Sequence, residues 1–202
     1  MNRTLLAALV LILLFPAIGR SQQQDALTTV QGQVNNVLKM LRSPALKGEK
    51  GEKEKRAQIA SEAEKLFDYM ELSKRTLGLE WNRFSLDQRK DFVNLYKALL
   101  QGTYVDRITQ YTNEKVEFTT TVPLGENTVE VRSEVISQSG RVPIYYRAMN
   151  ENGQWKVYDV VIEGVSLIAN YRSQFRQVLI NQSPQALLDT LKKRVGERLG
   201  GA

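Results

Sequence analysis

The chain has 202 residues, room for one domain, and contains neither Cys nor His. That composition excludes thiolate nucleophiles, disulfides, Cys or His zinc sites and any Ser-His-Asp or Cys-His relay, leaving carboxylates, Tyr, Lys, Arg and hydroxyls for chemistry. At 42% hydrophobic and 25% charged residues the chain can build a core, and its net charge of +6 is interleaved with acids, which suits an anionic membrane surface better than nucleic acid.

Arg3 precedes an unbroken apolar run from Leu5 to Phe15, followed by Pro16 and the small residues Ala17 and Gly19. The run is too short to span a bilayer, and small residues three and one positions before a cut are the pattern of a secretory signal. Residues 1–19 are therefore expected to be a cleaved signal peptide and 20–202 a single exported domain. No Cys follows the run to take a lipid anchor.

Leu27, Val30, Val34, Val37, Leu38 and Leu41 recur at helical spacing until Ser43-Pro44. Residues 47–56 alternate Lys and Glu around Gly48 and Gly51, which predicts a solvated loop. These glycines form no phosphate loop, since no strand precedes them and no Lys-Ser/Thr pair closes the motif. Helical spacing resumes through Ile59, Ala63, Leu66, Phe67 and Met70, and a short segment follows to Gly78. Ser85 and Gln88 form a capping box that opens a long helix carrying Phe92, Leu95, Tyr96 and Leu99, continuing past Gly102 to Tyr111.

The period then changes to two: Val116, Phe118, Val122; Val129, Val131, Val135; Val142, Ile144, Tyr146, Ala148. Gly125, Ser139-Gly140 and Asn152-Gly153 separate the runs as turns, giving a four-stranded antiparallel meander. Its fourth strand, Trp155 to Ile162, has Val157 and Val161 on one face and Tyr158, Val160 and Ile162 on the other, so it is expected to be covered on both sides and central. After Glu163-Gly164 a helix with Ile168, Tyr171, Phe175, Val178 and Leu179 leads to Ser183-Pro184 and a last helix through Leu187, Leu191, Val195 and Leu199. Helices, meander, helices is an α+β layout.

Three functional classes are compatible with these residues. An enzyme without His or Cys could use Asp159, held among apolar neighbours, as a general base with Tyr145, Tyr146, Tyr158 or Tyr171 as hydrogen-bond donors. An apolar-ligand carrier would leave a cavity between helices and sheet. An adaptor would need neither.

The segment WKVYDVVIEGVSLIANYRSQF (155–175), with VPIYYRAM on the third strand, FSLDQRKDFVNLYKALLQGTYVDRITQY and LFDYMELSKRTLG, resembles the MlaC family, also called the toluene-tolerance lipid-binding family. The most specific part is Trp155, Asp159, Glu163-Gly164-Val165-Ser166 and Asn170-Tyr171-Arg172, and the departures fall in residues 47–56 and the last helix. The resemblance implies a curved four-stranded antiparallel sheet packed by helices, with phospholipid tails in an apolar cavity between them and the head group at its mouth. It implies a periplasmic, non-enzymatic shuttle with no cofactor, no metal and no nucleic-acid partner, expected to be a monomer. Its partners would be an inner-membrane ABC transporter complex and an outer-membrane lipoprotein associated with a porin. Tail-lining positions are then expected at Tyr104, Ile108, Tyr146, Val157, Val161, Val165, Ile168, Tyr171 and Phe175. Asp159 and Arg172 are expected to be a buried polar pair orienting helix on sheet, with Ser166 as the helix cap.

Overall fold

In the computed structural model, which describes residues 17–46, 48–111, 114–138 and 140–199, the helical and strand periods separate into an N-terminal helical block, a sheet and a C-terminal helical pair. The order is α1 (Ala17–Leu41), α2 (Gly48–Leu66), α3 (Tyr69–Leu77), α4 (Leu86–Thr109), β1 (Lys115–Gly125), β2 (Thr128–Ser137), β3 (Gly140–Glu151), β4 (Gln154–Ile162), β5 (Val165–Ser166), α5 (Leu167–Asn181) and α6 (Pro184–Leu199). The expected signal segment lies outside the described residues as far as Pro16, and the expected cut after Gly19 falls in the first turn of α1.

The starts of α3, α4, α5 and α6 are each marked by a side chain that takes up a free first-turn N–H. Asp68 accepts from the Glu71 amide at 2.8 Å to open α3, and Ser85 and Gln88 complete a reciprocal box at α4. Ser166 accepts from Ala169 at α5, and Ser183 from Ala186 before the first-turn Pro184 of α6.

Residues 48–56 of the Lys/Glu stretch expected to be a loop are instead the first half of α2, and Lys47 lies outside the described residues. Lys and Glu are good helix formers, and here Lys55 pairs with Glu52 at 2.6 Å while Gln58 donates to Glu54 four residues back. Lys55 is nearly buried. Gly51 does not break the helix but lets it approach the preceding turn: a Cβ there would stand 2.6 Å from the Leu46 carbonyl carbon.

The sheet order is β1-β2-β3-β4-β5, antiparallel throughout. The expected meander is present, and Asn152 and Gly153 turn its third hairpin with φ of 52° and 84°. The two-residue β5 is an addition to it. Strand β4 is buried on both faces as expected, yet it is not central. Only Val161 and Ile162 find β5 partners, and its outer edge is closed by the α2–α3 junction, where Phe67 bridges Val157 and the Asp68 amide donates to the Val157 carbonyl at 2.9 Å.

A bulge in β4 changes the faces that simple alternation assigns. Arg147 pairs with Asp159 and Ala148 with Val157, leaving Tyr158 as the extra residue. Val157, Val160 and Ile162 consequently pack in one apolar cluster, while Tyr158 joins the other, correcting the expected grouping of Val157 with Val161.

Behind the bulge, charged side chains on β2, β3 and β4 converge on the start of α5. Arg147 binds both Glu130 (3.0 Å) and Asp159 (3.3 Å), and Arg132 binds Glu130 at 2.9 Å. Asp159 also accepts from the Ser166 hydroxyl at 2.7 Å and the Ile168 amide at 3.1 Å. Its ionic partner is therefore Arg147 and not Arg172. The carboxylate meets α5 at its first residues, whereas Arg172 lies more than a turn further on, exposed, and donates to the Arg75 carbonyl at 2.6 Å. Burial opposes ionisation of Glu130, but the two arginine hydrogen bonds prevail and hold its carboxyl below the usual range.

Replacing Gly51 by Ala is expected to destabilise the protein by about 1–3 kcal/mol through the collision with Leu46, whereas Ala at Gly32 of α1, where a Cβ meets nothing within 4 Å, should stabilise by about 0.5–1 kcal/mol; urea unfolding of the two variants gives opposite signs. Because the folded pKa of Glu130 is depressed, its contribution is complete above the unfolded carboxylate range near pH 4 and is lost as pH falls through the lower folded value. Arg147→Met should cost on the order of 3 kcal/mol at neutral pH and flatten the acid limb of the stability profile between pH 5 and 2.

Candidate functional site

The side chains that face α1 form rows running across the sheet. Val129, Ala148 and Val157 are consecutive cross-strand partners, as are Thr121, Val131, Tyr146 and Val160, and then Phe118, Ser133, Ile144 and Ile162. Directly opposed residues share a face, so these rows make one surface that is apolar apart from Thr121, Ser133 and the Tyr146 hydroxyl. Ser133 donates to the Ile144 carbonyl at 2.8 Å. Burial pushes the neighbouring Tyr146 phenol up to about 12, with Ser133 opposing the rise.

Helix α1 covers this surface with Ala26, Leu27, Val30 and Val34, and Leu66, Leu167 and Tyr104 close its margins. Ala26, Val30, Val131, Ala148 and Val157 are all at 0% exposure, so the space assigned to a ligand from the sequence is filled here by interlocking side chains. A second cluster lies among α3, α4, α5 and α6, built around the rings of Phe92, Tyr96, Tyr171 and Phe175 with centroids 5.2–5.6 Å apart. Phe67 and Tyr104 pack against both clusters. Burial raises the Tyr104 phenol to about 12, with Tyr171 beside it adding to the rise, so the two clusters meet at a tyrosine pair.

The nine expected lining positions are divided by this arrangement. Tyr146, Val157 and Tyr104 belong to the surface under α1. Ile168, Tyr171 and Phe175 are in the helical cluster. Val161, 5% exposed, shares the β4 face of Asp159, and Ile108 is half-buried one turn beyond Tyr104. Val165, on β5, is 57% exposed and stands outside both clusters. Sequence reasoning missed Val131, Ala148 and Val160, whose signal was available: pairing the three runs through their turns places them in rows with Tyr146 and Val157. It also missed the α1 stripe as a wall of the site, since periodicity identifies a buried face but not what it faces.

Two open clefts lie elsewhere on the surface. One of about 450 Å³ separates the α2–α3 junction from the β3–β4 hairpin; the other, about 380 Å³, lies between α4, α5 and α6 beside Tyr171 and Arg194. Among the described residues no group of acidic side chains has metal-binding geometry, and no helix is long and apolar enough to cross a membrane.

A family model described as MlaC protein matches residues 31–193. The intermembrane phospholipid transport system binding protein MlaC of Haemophilus influenzae is 27% identical over 128 residues, 61% of this chain; the match spans about 60% of that relative's own length. A solved structure of the phospholipid-binding protein from Ralstonia solanacearum, in complex with a phospholipid, is similar with a TM-score of 0.77 and 26% identity over 87% of this chain and 99% of that one. With the family model covering most of its length and an α+β fold of the same kind, this chain belongs to the MlaC family.

Proposed function

We propose that this protein is a periplasmic phospholipid carrier that takes lipid between the outer membrane and an inner-membrane ABC transporter complex, and so maintains the asymmetry of the outer membrane. The observation that carries the reading is the apolar surface of β1–β4 beneath α1, extended at its margin by the Tyr104–Tyr171 pair, in a chain whose structural relative holds a phospholipid. Residues 1–19 would direct export and be removed. An outer-membrane lipoprotein with its porin is the partner at one end of the route and the transporter complex at the other.

Transfer free energies suit this role. Burying roughly thirty methylenes gains on the order of 20 kcal/mol relative to water, but the bilayer offers the same chains nearly as much. The carrier therefore needs an interior about as apolar as a membrane, while direction comes from differential docking and from ATP hydrolysed by the partner. Acyl chains would enter by displacing the contacts between α1 and the sheet. That seam consists of dispersion contacts among aliphatic side chains, each weak by itself and replaceable by methylenes. Tyr146, Val157 and Tyr104 are the lining residues of this proposal from the sequence set, joined by Val131, Ala148, Val160 and Ile144.

Catalysis is not part of the proposed role. Asp159 is 2% exposed and its carboxylate already receives Arg147, Ser166 and the Ile168 amide, the environment of a residue that fixes α5 on the sheet.

Native mass spectrometry of the protein, purified without detergent from a periplasmic extract, should show mass increments of intact phospholipid. Ile144→Trp, at a half-buried position of the apolar surface, should lower that occupancy at least severalfold while leaving a cooperatively folded protein; a clean apo mass that also stays clean after incubation with liposomes would sink the carrier reading. Asp159→Asn should lose on the order of 3 kcal/mol of stability and keep its lipid at temperatures where it is folded. Loss of a turnover activity without loss of fold in that variant would favour the enzyme instead.

A further inference from the structure

Helix α3 is continued by the 3-10 helix Gly78–Arg83, and this segment runs beside α5, tied to it at two levels by arginines. Arg172 donates to the Arg75 carbonyl at 2.6 Å, and Arg83 donates to the carbonyls of Leu179 (2.9 Å) and Gln182 (3.3 Å). Leu79 lies midway between these ties along its own segment, as Arg176 does along α5. On α5, Arg172, Arg176 and Ile180 recur every four residues and so share one stripe, which is exposed throughout. Leu79 is 88% exposed and Ile180 67%. Two aliphatic side chains therefore stand out from a surface of arginines.

The charged residues of α3, the 3-10 helix and α5 are Lys74, Arg75, Arg83, Arg172 and Arg176 against Glu71 and Glu80. Both carboxylates are already engaged, Glu71 by Arg75 at 2.7 Å and Glu80 by Arg83 at 2.5 Å. Arg172 and Arg176 form no ion pair among the described residues, and Arg172 spends only one of its guanidinium donors on the Arg75 carbonyl. A lone exposed leucine is ordinary on a protein surface and by itself carries no argument. Here the aliphatic side chains share a face with uncompensated cations, which is the pairing that holds a protein against an anionic bilayer: the apolar groups enter the acyl boundary while the cations meet phosphates. Leu79 and Ile180 border neither of the two clefts. They project instead of lining a groove, so their acceptor must close around them, as a fluid acyl layer does.

We propose that the α3–α5 face is a membrane-docking surface that rests on a bilayer containing anionic phospholipid, with Leu79 and Ile180 at the acyl boundary and Arg172 and Arg176 among the phosphates. The inference goes beyond the carrier reading and stands on its own geometry. It gives the protein a way to meet a bilayer directly, by a face separate from the seam beneath α1.

The test is flotation of the protein, purified from a periplasmic extract, with vesicles of dioleoyl phosphatidylcholine alone and of an equimolar mixture with dioleoyl phosphatidylglycerol. Wild type should partition onto the mixed vesicles at least tenfold better than onto the neutral ones and lose most of that binding at high salt. Leu79→Ser should weaken partitioning about tenfold and Arg176→Gln about fivefold, and neither should move the thermal unfolding transition, both positions being exposed. Equal partitioning onto the two vesicles, or variants that float as wild type does, overturns the docking surface. Binding that Arg176→Gln weakens but Leu79→Ser leaves untouched overturns the inserted geometry. Absence of flotation together with polyglutamate binding that Arg176→Gln abolishes overturns the membrane and assigns the face to an acidic protein segment. Bound phospholipid is scored separately by native mass spectrometry: a protein that holds lipid but floats with neither vesicle sinks the docking surface and leaves the carrier standing, and one that floats but holds no lipid does the reverse.

Discussion

The extra residue in β4 is the constraint on which the two halves of the molecule depend. A strand with strict alternation can serve two faces, but here three surroundings must be met within a few residues. Val157 and Val160 must both face α1, Tyr158 must enter the helical cluster, and Asp159 must reach the start of α5. Placing Tyr158 opposite no residue of β3 permits this, and the bulge is held from both sides. The Phe67 bridge and the Asp68 amide pin Val157 on its outer edge, and Arg147 pins Asp159 from β3. The guanidinium of Arg75 lies 4.1 Å over the displaced Tyr158 ring, so even the residue pushed out of register has a favourable contact.

From this follows a division between polar and apolar tasks. Charges that determine orientation are gathered on one side of the sheet, where Glu130, Arg132, Arg147 and Asp159 link three strands to α5. The side beneath α1 contains almost no directional interactions. Dispersion contacts do not care whether the partner methylene belongs to a valine or to an acyl chain. A hydrogen-bonded seam could not exchange partners so cheaply, because each separated donor and acceptor would cost about 1–3 kcal/mol while unpaired. Rigid polar fixing on one side and an exchangeable apolar seam on the other is the combination that a lipid carrier needs.

Much of this was legible in the residues. Caps at Ser85, Ser166 and Ser183, the turn at Asn152-Gly153 and the change of period near residue 115 are local signals, and each structure they predict is formed. The α2 helix shows where such signals fail. Gly48 and Gly51 read as breakers because a glycine's usual effect in a helix is unfavourable, but Gly51 is there because the Leu46 backbone leaves no space for a Cβ. Its reason is a close approach between segments, and no window of sequence contains that distance.

The sequence by itself determined the α+β order, the strand boundaries, the absence of thiol and imidazole chemistry and, through the motif from Trp155 to Phe175, the family. These depend on residue identity and on neighbours within a turn or a hairpin, which the chain carries in its order. Tertiary structure alone decided that Asp159 answers to Arg147 and not Arg172, that Val165 faces solvent, and that Ile168, Tyr171 and Phe175 pack with Phe92 and Tyr96 rather than beneath α1. Side chains of the same apolar character can fill a core or line a seam, and a carboxylate can pair with any cation within reach. The bulge, the register of three strands and the placement of α5 select among those partners, and they arise only from the packing of segments distant in sequence.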